Sequence, residues 1–184
     1  MMSGWRKIEP PLSEAVIGSL ESGDRLLLSG VVYTGRDQAH RRIREMIERN
    51  EKLPVDLSGQ VIYYTGPSPA PPGMVIGSAG PTTSARMDSF TDSMLKLGVK
   101  GMIGKGRRDH DTRELLVWYG AVYFCTFGGA GAYLAARVLE SEVVAFGDLG
   151  PEAMFRLRVE DFPVIVVNDA NGGDLYEDVL RNKQ

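Results

Sequence analysis

Residues 80–88, Gly-Pro-Thr-Thr-Ser-Ala-Arg-Met-Asp, place two threonine hydroxyls and a guanidinium where small turn-forming residues lead into an amphipathic stretch. The spacing of Met87, Phe90, Met94, Leu95 and Leu97 predicts a helix that starts at a Thr82 or Thr83 N-cap and stops at Gly98. The first free N–H groups of such a helix attract anions, and Arg86 beside them can grip a carboxylate through two parallel hydrogen bonds. An ordinary capped helix with a solvated arginine fits this segment equally well.

The same arrangement recurs along the chain. Arg25–Tyr33 is an extended apolar run that leads through Thr34-Gly-Arg36-Asp37 into an amphipathic helix expected over Ala39–Glu51, with Ile43, Met46 and Ile47 on one face. Arg36 therefore also stands at a helix entrance, and His40, four residues on, shares its face. His40 either joins the anion site as a further candidate or packs locally. Gly98–Gly106 is a strand running into Lys105 between two glycines, and Ala121–Phe127 is a strand running into Gly128 and Gly129 before a helix expected over Ala132–Leu139. Glycines allow close backbone approach to a ligand, and the three cations suit a small poly-anion.

Among the elements that position these groups, Gln60–Thr65 and Met74–Ile76 are expected strands, joined by a stiff Pro67–Gly73 turn. Val143–Phe146 and Phe162–Val167 are expected strands flanking a short helix near Glu152–Leu157, and Asp169-Ala-Asn-Gly-Gly is a closing turn. The result is an α/β chain. Its 184 residues suit one domain over 1–184, with a core of about 26–176.

A formal charge of −3 argues against a nucleic-acid surface, so the cations must act locally. Arg41, Arg42, Arg44 and Arg49 alternate with Glu45 and Glu48 as on a solvated helix face, and Arg107-Arg108 suits a solvated loop better than a docking patch. The single cysteine, Cys125, lies in an apolar run, where a buried and inert thiol is expected; no internal disulfide can form. No leader is visible and no apolar run reaches the roughly 20 residues needed to span a bilayer, so a cytoplasmic chain without membrane contact is the expectation.

Standard catalytic sets are poorly represented. Only His40 and His110 are present, there is no Gly-x-Ser-x-Gly elbow, and Cys125 has no base nearby in sequence. His110 among aspartates suits a solvated loop better than a metal site, so no metal ligands are assigned to this chain. Gly128-Gly-Ala-Gly131 follows a strand but lacks dinucleotide spacing, and no Walker A motif occurs.

Five segments together carry a resemblance: residues 30–40 (Gly-Val-Val-Tyr-Thr-Gly-Arg-Asp-Gln-Ala-His), 64–69 (Tyr-Thr-Gly-Pro-Ser-Pro), 77–88 (Gly-Ser-Ala-Gly-Pro-Thr-Thr-Ser-Ala-Arg-Met-Asp), 104–106 (Gly-Lys-Gly) and 159–163 (Val-Glu-Asp-Phe-Pro). The chain resembles the β subunit of iron–sulfur hydro-lyases, the class I fumarate hydratases and L-tartrate dehydratases, from about Leu26 to Tyr176. The resemblance implies a swivelling β/β/α domain, with a mixed sheet and flanking helices, that closes over a [4Fe–4S] cluster. That cluster would be held by three cysteines of a separate α subunit in a hetero-oligomer. It also implies a four-carbon dicarboxylate substrate, most simply malate and fumarate, with tartrate as the alternative and a non-catalytic anion-binding subunit as a further one.

By the same resemblance, Arg36 and Arg86 would clamp the substrate carboxylates, Lys105 would line the pocket, and Thr82 would act as the base. Thr83, His40, Gly128 and Gly129 are further candidates around them. The chain departs from the family at Gly131 and Gly147, which bears on the shape of the pocket wall.

Overall fold

The computed structural model describes residues 4–181. Its centre is one mixed seven-stranded sheet ordered β1-β2-β3-β4-β5-β7-β6, with an additional β2–β7 pairing. These strands are β1 (Arg6–Ile8), β2 (Arg25–Thr34), β3 (Val61–Tyr63), β4 (Gly101–Gly104), β5 (Val122–Cys125), β6 (Val138–Ala145) and β7 (Met154–Asn168). β2, β3, β4 and β5 run parallel, while β7 lies antiparallel to both β2 and β5. The pairings therefore close a ring, β2–β3–β4–β5–β7–β2, with β1 added beside β2 and β6 beside β7.

Alternation along the ring strands sends side chains into two cores. Val61 and Tyr63 of β3 join Leu26, Leu28, Ile103, Phe124, Phe162 and Val164 in one cluster, while Ile62 joins Met102 and Tyr123 in the other. The second cluster is covered by helices α2 (Asp37–Glu48), α3 (Thr91–Lys96) and α4 (His110–Tyr119), which contribute Ile43, Met94, Leu95 and Leu116. The expectation of a mixed sheet with flanking helices holds.

Several elements differ from their sequence expectation. The helix expected from Thr82 or Thr83 to Leu97 is a 3₁₀ segment, Ser84–Phe90, followed by the short α3. Neither threonine side chain caps it: Thr83 is extended (φ −59°, ψ 119°) and bridges Lys105 in parallel, so the chain here continues the sheet. The stop holds, with Gly98 at φ +88°. The helix expected over Ala132–Leu139 ends early as α5 (Gly131–Ala135), because Val138 onward pairs with the free edge of β7.

Glu152–Leu157 is likewise not helical. A 3₁₀ turn, Gly147–Glu152, precedes β7, whose Leu157 and Val159 alternate with Arg156, Arg158 and Glu160 at strand period. Met74–Ile76 forms no strand, and Met74 and Val75 are exposed, since the proline-rich run before them cannot donate to a ladder. The closing turn is as expected: the Asp169 carboxylate accepts from the N–H groups of Ser22, Asn171 and Gly173. Among the described residues no helix is long and apolar enough to cross a membrane.

Candidate functional site

Because β2 to β5 are parallel, their C-terminal ends lie along one edge of the sheet, the position where α/β folds present ligands. Arg36 follows β2, Lys105 follows β4, and Gly128 and Gly129 follow β5. The segment 79–84 crosses this edge and is stitched to it. Tyr63 Oη donates to the Ala79 carbonyl at 2.5 Å and Thr65 Oγ1 to the Gly80 carbonyl at 2.8 Å. The Thr82 N–H donates to the Tyr64 carbonyl at 2.6 Å, and the Lys105 N–H donates to the Thr82 carbonyl at 3.3 Å.

Thr82 and Lys105 are thereby neighbours, with Thr82 half-buried and the Lys105 side chain exposed. The Lys105 N–H also donates to Ser84 Oγ at 3.1 Å. Gly104 is required here: a Cβ on it would collide with Ser84 Oγ. The Lys105 stem runs past Gly128, where a Cβ would lie 3.7 Å from its Cδ. Gly129, with φ +80°, turns the exposed loop, and the Ala79 N–H donates to the Gly131 carbonyl at 3.1 Å. Gly131 thus sits against the segment leading into Thr82.

Arg36 is the extended N-cap residue of α2 and makes no side-chain cap bond. Its stem lies along Gly66 so closely that a Cβ there would be 2.7 Å from Nη1. Its Nη2 is 3.6 Å from Glu152, and its buried Nε has no partner. The next residue, Asp37, accepts Nε and Nη2 of Arg86 at 3.1 and 2.7 Å, so the Arg86 fork closes on an internal carboxylate and links 84–90 to the start of α2. Three of the five Arg86 N–H donors remain for a ligand.

His40 is buried rather than displayed beside Arg36. Its ring packs on Tyr64 and Phe90, and Nδ1 lies 2.8 Å from the Arg36 carbonyl, which can only accept, so Nδ1 carries the proton. Burial, the largest cause, pushes its pKa down to about 4. Neutral His40 thus holds the Arg36 backbone from beneath. Thr83 is exposed and takes part through its bridge to Lys105.

Other expectations need correction. Arg108 is not in a solvated loop: its side chain is 0% exposed and donates to Asp88 at 2.5 Å. Arg42 is not simply solvated either, because it grips Asp148 at 2.7 and 2.9 Å across to the turn before β7. Cys125 is only partly buried at the end of β5, and burial raises its thiol pKa. His110, Asp111 and Glu114 cluster on α4 with ligand atoms within 4.8 Å of one another, all solvent-exposed. Sequence reasoning missed Asp37, Ser84, Asp88 and Arg108 as parts of the site's frame. Their partners lie tens of residues away, and no local period signals such pairs.

The family described as Fumarase C-terminus matches residues 7–179. A Methanocaldococcus jannaschii protein that carries the provisional name L(+)-tartrate dehydratase subunit beta is 40% identical over 174 residues, covering 91% of this chain and 89% of that protein. "Fumarate hydratase class I, anaerobic" of Escherichia coli is 38% identical over 162 residues, 87% of this chain but 29% of the relative. "Fumarate hydratase 2" of Leishmania major is 36% identical over 176 residues, 95% of this chain and 30% of the relative. The chain therefore spans less than a third of the length of these two fumarate hydratases.

Proposed function

The chain belongs to the Fumarase C-terminus family, and from that premise we propose that it is the β subunit of a hydro-lyase that interconverts malate and fumarate. The observation that carries this reading is the gathering of Arg36, Thr82, Arg86 and Lys105 along one edge of parallel strand ends. Guanidinium forks match carboxylates in two-point fashion, and an ammonium beside them suits the second charge of a dicarboxylate. The spare donors of Arg86 and the fork of Arg36 hold the carboxylates. Lys105 stabilises the charge that builds on the carboxylate as the adjacent carbon loses its proton.

Thr82 is the group assigned to take that carbon-bound proton. A hydroxyl is a weak base, and the Lys105 ammonium is what would stabilise its alkoxide. His40, neutral and holding the Arg36 carbonyl, serves to position Arg36. Gly128 lies alongside the Lys105 stem, and Gly129, at φ +80°, turns the loop next to it.

An iron–sulfur cluster belongs to this reading, but the residues present do not fit one. Such a cluster needs several thiolates, and this chain offers Cys125 alone, with its thiol pKa raised by burial. We therefore assign the [4Fe–4S] cluster to a separate α subunit, and this chain to the carboxylates and the proton. Tartrate is the second substrate reading, favoured by one observation: the relative that this chain matches over most of its own length is named for tartrate dehydratase.

The test is reconstitution. The chain, combined anaerobically with its α partner, should dehydrate malate, with L-tartrate run in parallel to decide between the substrates. Loss of neither substrate by a complex whose cluster is intact would mean a non-catalytic anion-binding subunit.

A further inference from the structure

Beneath the segments that carry Thr82, Arg86 and Lys105 lies a buried polar group that the proposed chemistry leaves unused. The Arg108 guanidinium faces the rings of Tyr64 and Tyr123, 5.6 and 5.0 Å from their centroids. Its Nε donates to Asp88 Oδ1 at 2.5 Å and its Nη2 to Thr91 Oγ1 at 2.7 Å. The other Asp88 oxygen accepts from the Asp109 N–H at 3.0 Å. Burial works against the guanidinium charge, but its surroundings, the Asp88 carboxylate among them, outweigh this and raise the Arg108 pKa.

A second link runs parallel to the first. Tyr123 Oη lies 2.8 Å from both the Gly106 carbonyl and Ser84 Oγ. The carbonyl can only accept, so Tyr123 donates to it, Ser84 donates to Tyr123, and Ser84 Oγ in turn accepts the Lys105 N–H. Both links join the same two chain segments, 82–91 and 104–109.

We infer that Arg108 and Asp88 are positioning residues for the dicarboxylate site, locking the segment that bears Thr82 and Arg86 to the turn that bears Lys105. A buried ion pair is a poor source of stability compared with apolar packing, so stability alone does not account for one here. Apolar side chains cannot supply its directional hold on two segments at once. A displacement of about 1 Å at a reacting centre can lower the rate about a hundredfold.

This inference rests on the substrate reading above. It is tested in the reconstituted complex with the double variant Arg108→Met/Asp88→Leu, which removes both charges together. The expected result is a folded, partner-binding chain whose kcat/KM falls about a hundredfold, with KM raised as well as kcat lowered. Arg108→Lys, which keeps the charge but not the fork, should fall between. Folded double variants with wild-type kcat and KM would overturn the inference.

Should the double variant fail to fold, Thr91→Val and Arg108→Lys carry the test, with a several-fold rise in KM expected and unchanged kinetics overturning it. A wild-type complex that turns over neither malate nor tartrate would defeat the substrate reading. Amide hydrogen exchange then decides the inference separately. The Lys105 amide should lose protection in Arg108→Lys or the double variant, and unaltered protection would overturn the proposal.

Discussion

Arg86 is the side chain whose chemistry depends most on shape. Its charge is satisfied by Asp37, but only a planar fork can bind Asp37 and still present donors to a second carboxylate. Arg86→Lys in the reconstituted complex should lower kcat/KM by roughly tenfold to a thousandfold. The pair is half-exposed, so thermal stability should change little. Arg36→Lys should behave alike, and kinetics within a few-fold of wild type would return both arginines to the role of surface residues. For Thr82, removal of the hydroxyl separates binding from proton transfer. Thr82→Val should still bind a dicarboxylate inhibitor, while exchange of the substrate's carbon-bound hydrogen with D2O slows by about a hundredfold or more. Thr83→Val should retain most exchange, since its link to Lys105 is through the backbone.

At the scale of elements, the exit of β4 holds the site's two halves in contact. Gly104→Ala would drive a methyl into Ser84 Oγ and part the Lys105 turn from segment 79–84. A loss of about 1–3 kcal/mol in urea unfolding is expected from such overpacking, together with reduced turnover. An unaltered midpoint would show that the two segments separate freely. The ring strands β2 to β5 were legible as apolar runs ending in Gly, Thr, Arg or Lys, and α2 as a helical stripe, although it begins at Asp37 rather than Ala39. The elements after Gly131 were not. Leu139 carries no local mark of strand or helix, and its state is set by the free edge of β7, about twenty residues later.

At the scale of the whole molecule, one thiol cannot assemble a cluster. The purified chain alone should be colourless, free of iron and inactive, and anaerobic mixing with the α partner should restore both visible absorbance and turnover. Robust hydratase activity from the single chain would refute the divided site. Stability against acid is a second molecular property. His40 is buried neutral with its pKa lowered from 6.5 to about 4, so the unfolded chain binds more protons between those values. This group's contribution is complete above pH 6.5 and is lost as pH falls toward 4, in total on the order of 3 kcal/mol. Melting temperatures measured from pH 7 to 4.5 should fall more steeply in the wild type than in His40→Gln, which keeps a donor for Arg36 but does not titrate.

The sequence by itself picks out the groups that could meet an anion, with Arg36 and Arg86 at expected helix entrances and Lys105 at the end of an expected strand. Strand and helix periods, glycine placement and side-chain type are properties of a short window, and together they single out Arg36, Arg86, Lys105 and the Thr82–Thr83 pair as candidates. The count of one cysteine likewise needed no fold. Only the tertiary structure decided which charges are desolvated and which edges pair. Arg107 and Arg108 are indistinguishable as neighbours in a chain, yet Arg107 is exposed and Arg108 is sealed between two tyrosines with Asp88. The closure of β7 onto both β2 and β5, the lost threonine cap and the burial of His40 have the same origin. Each depends on a partner far away in sequence, whose approach is set by the packing of the whole ring and not by any local preference.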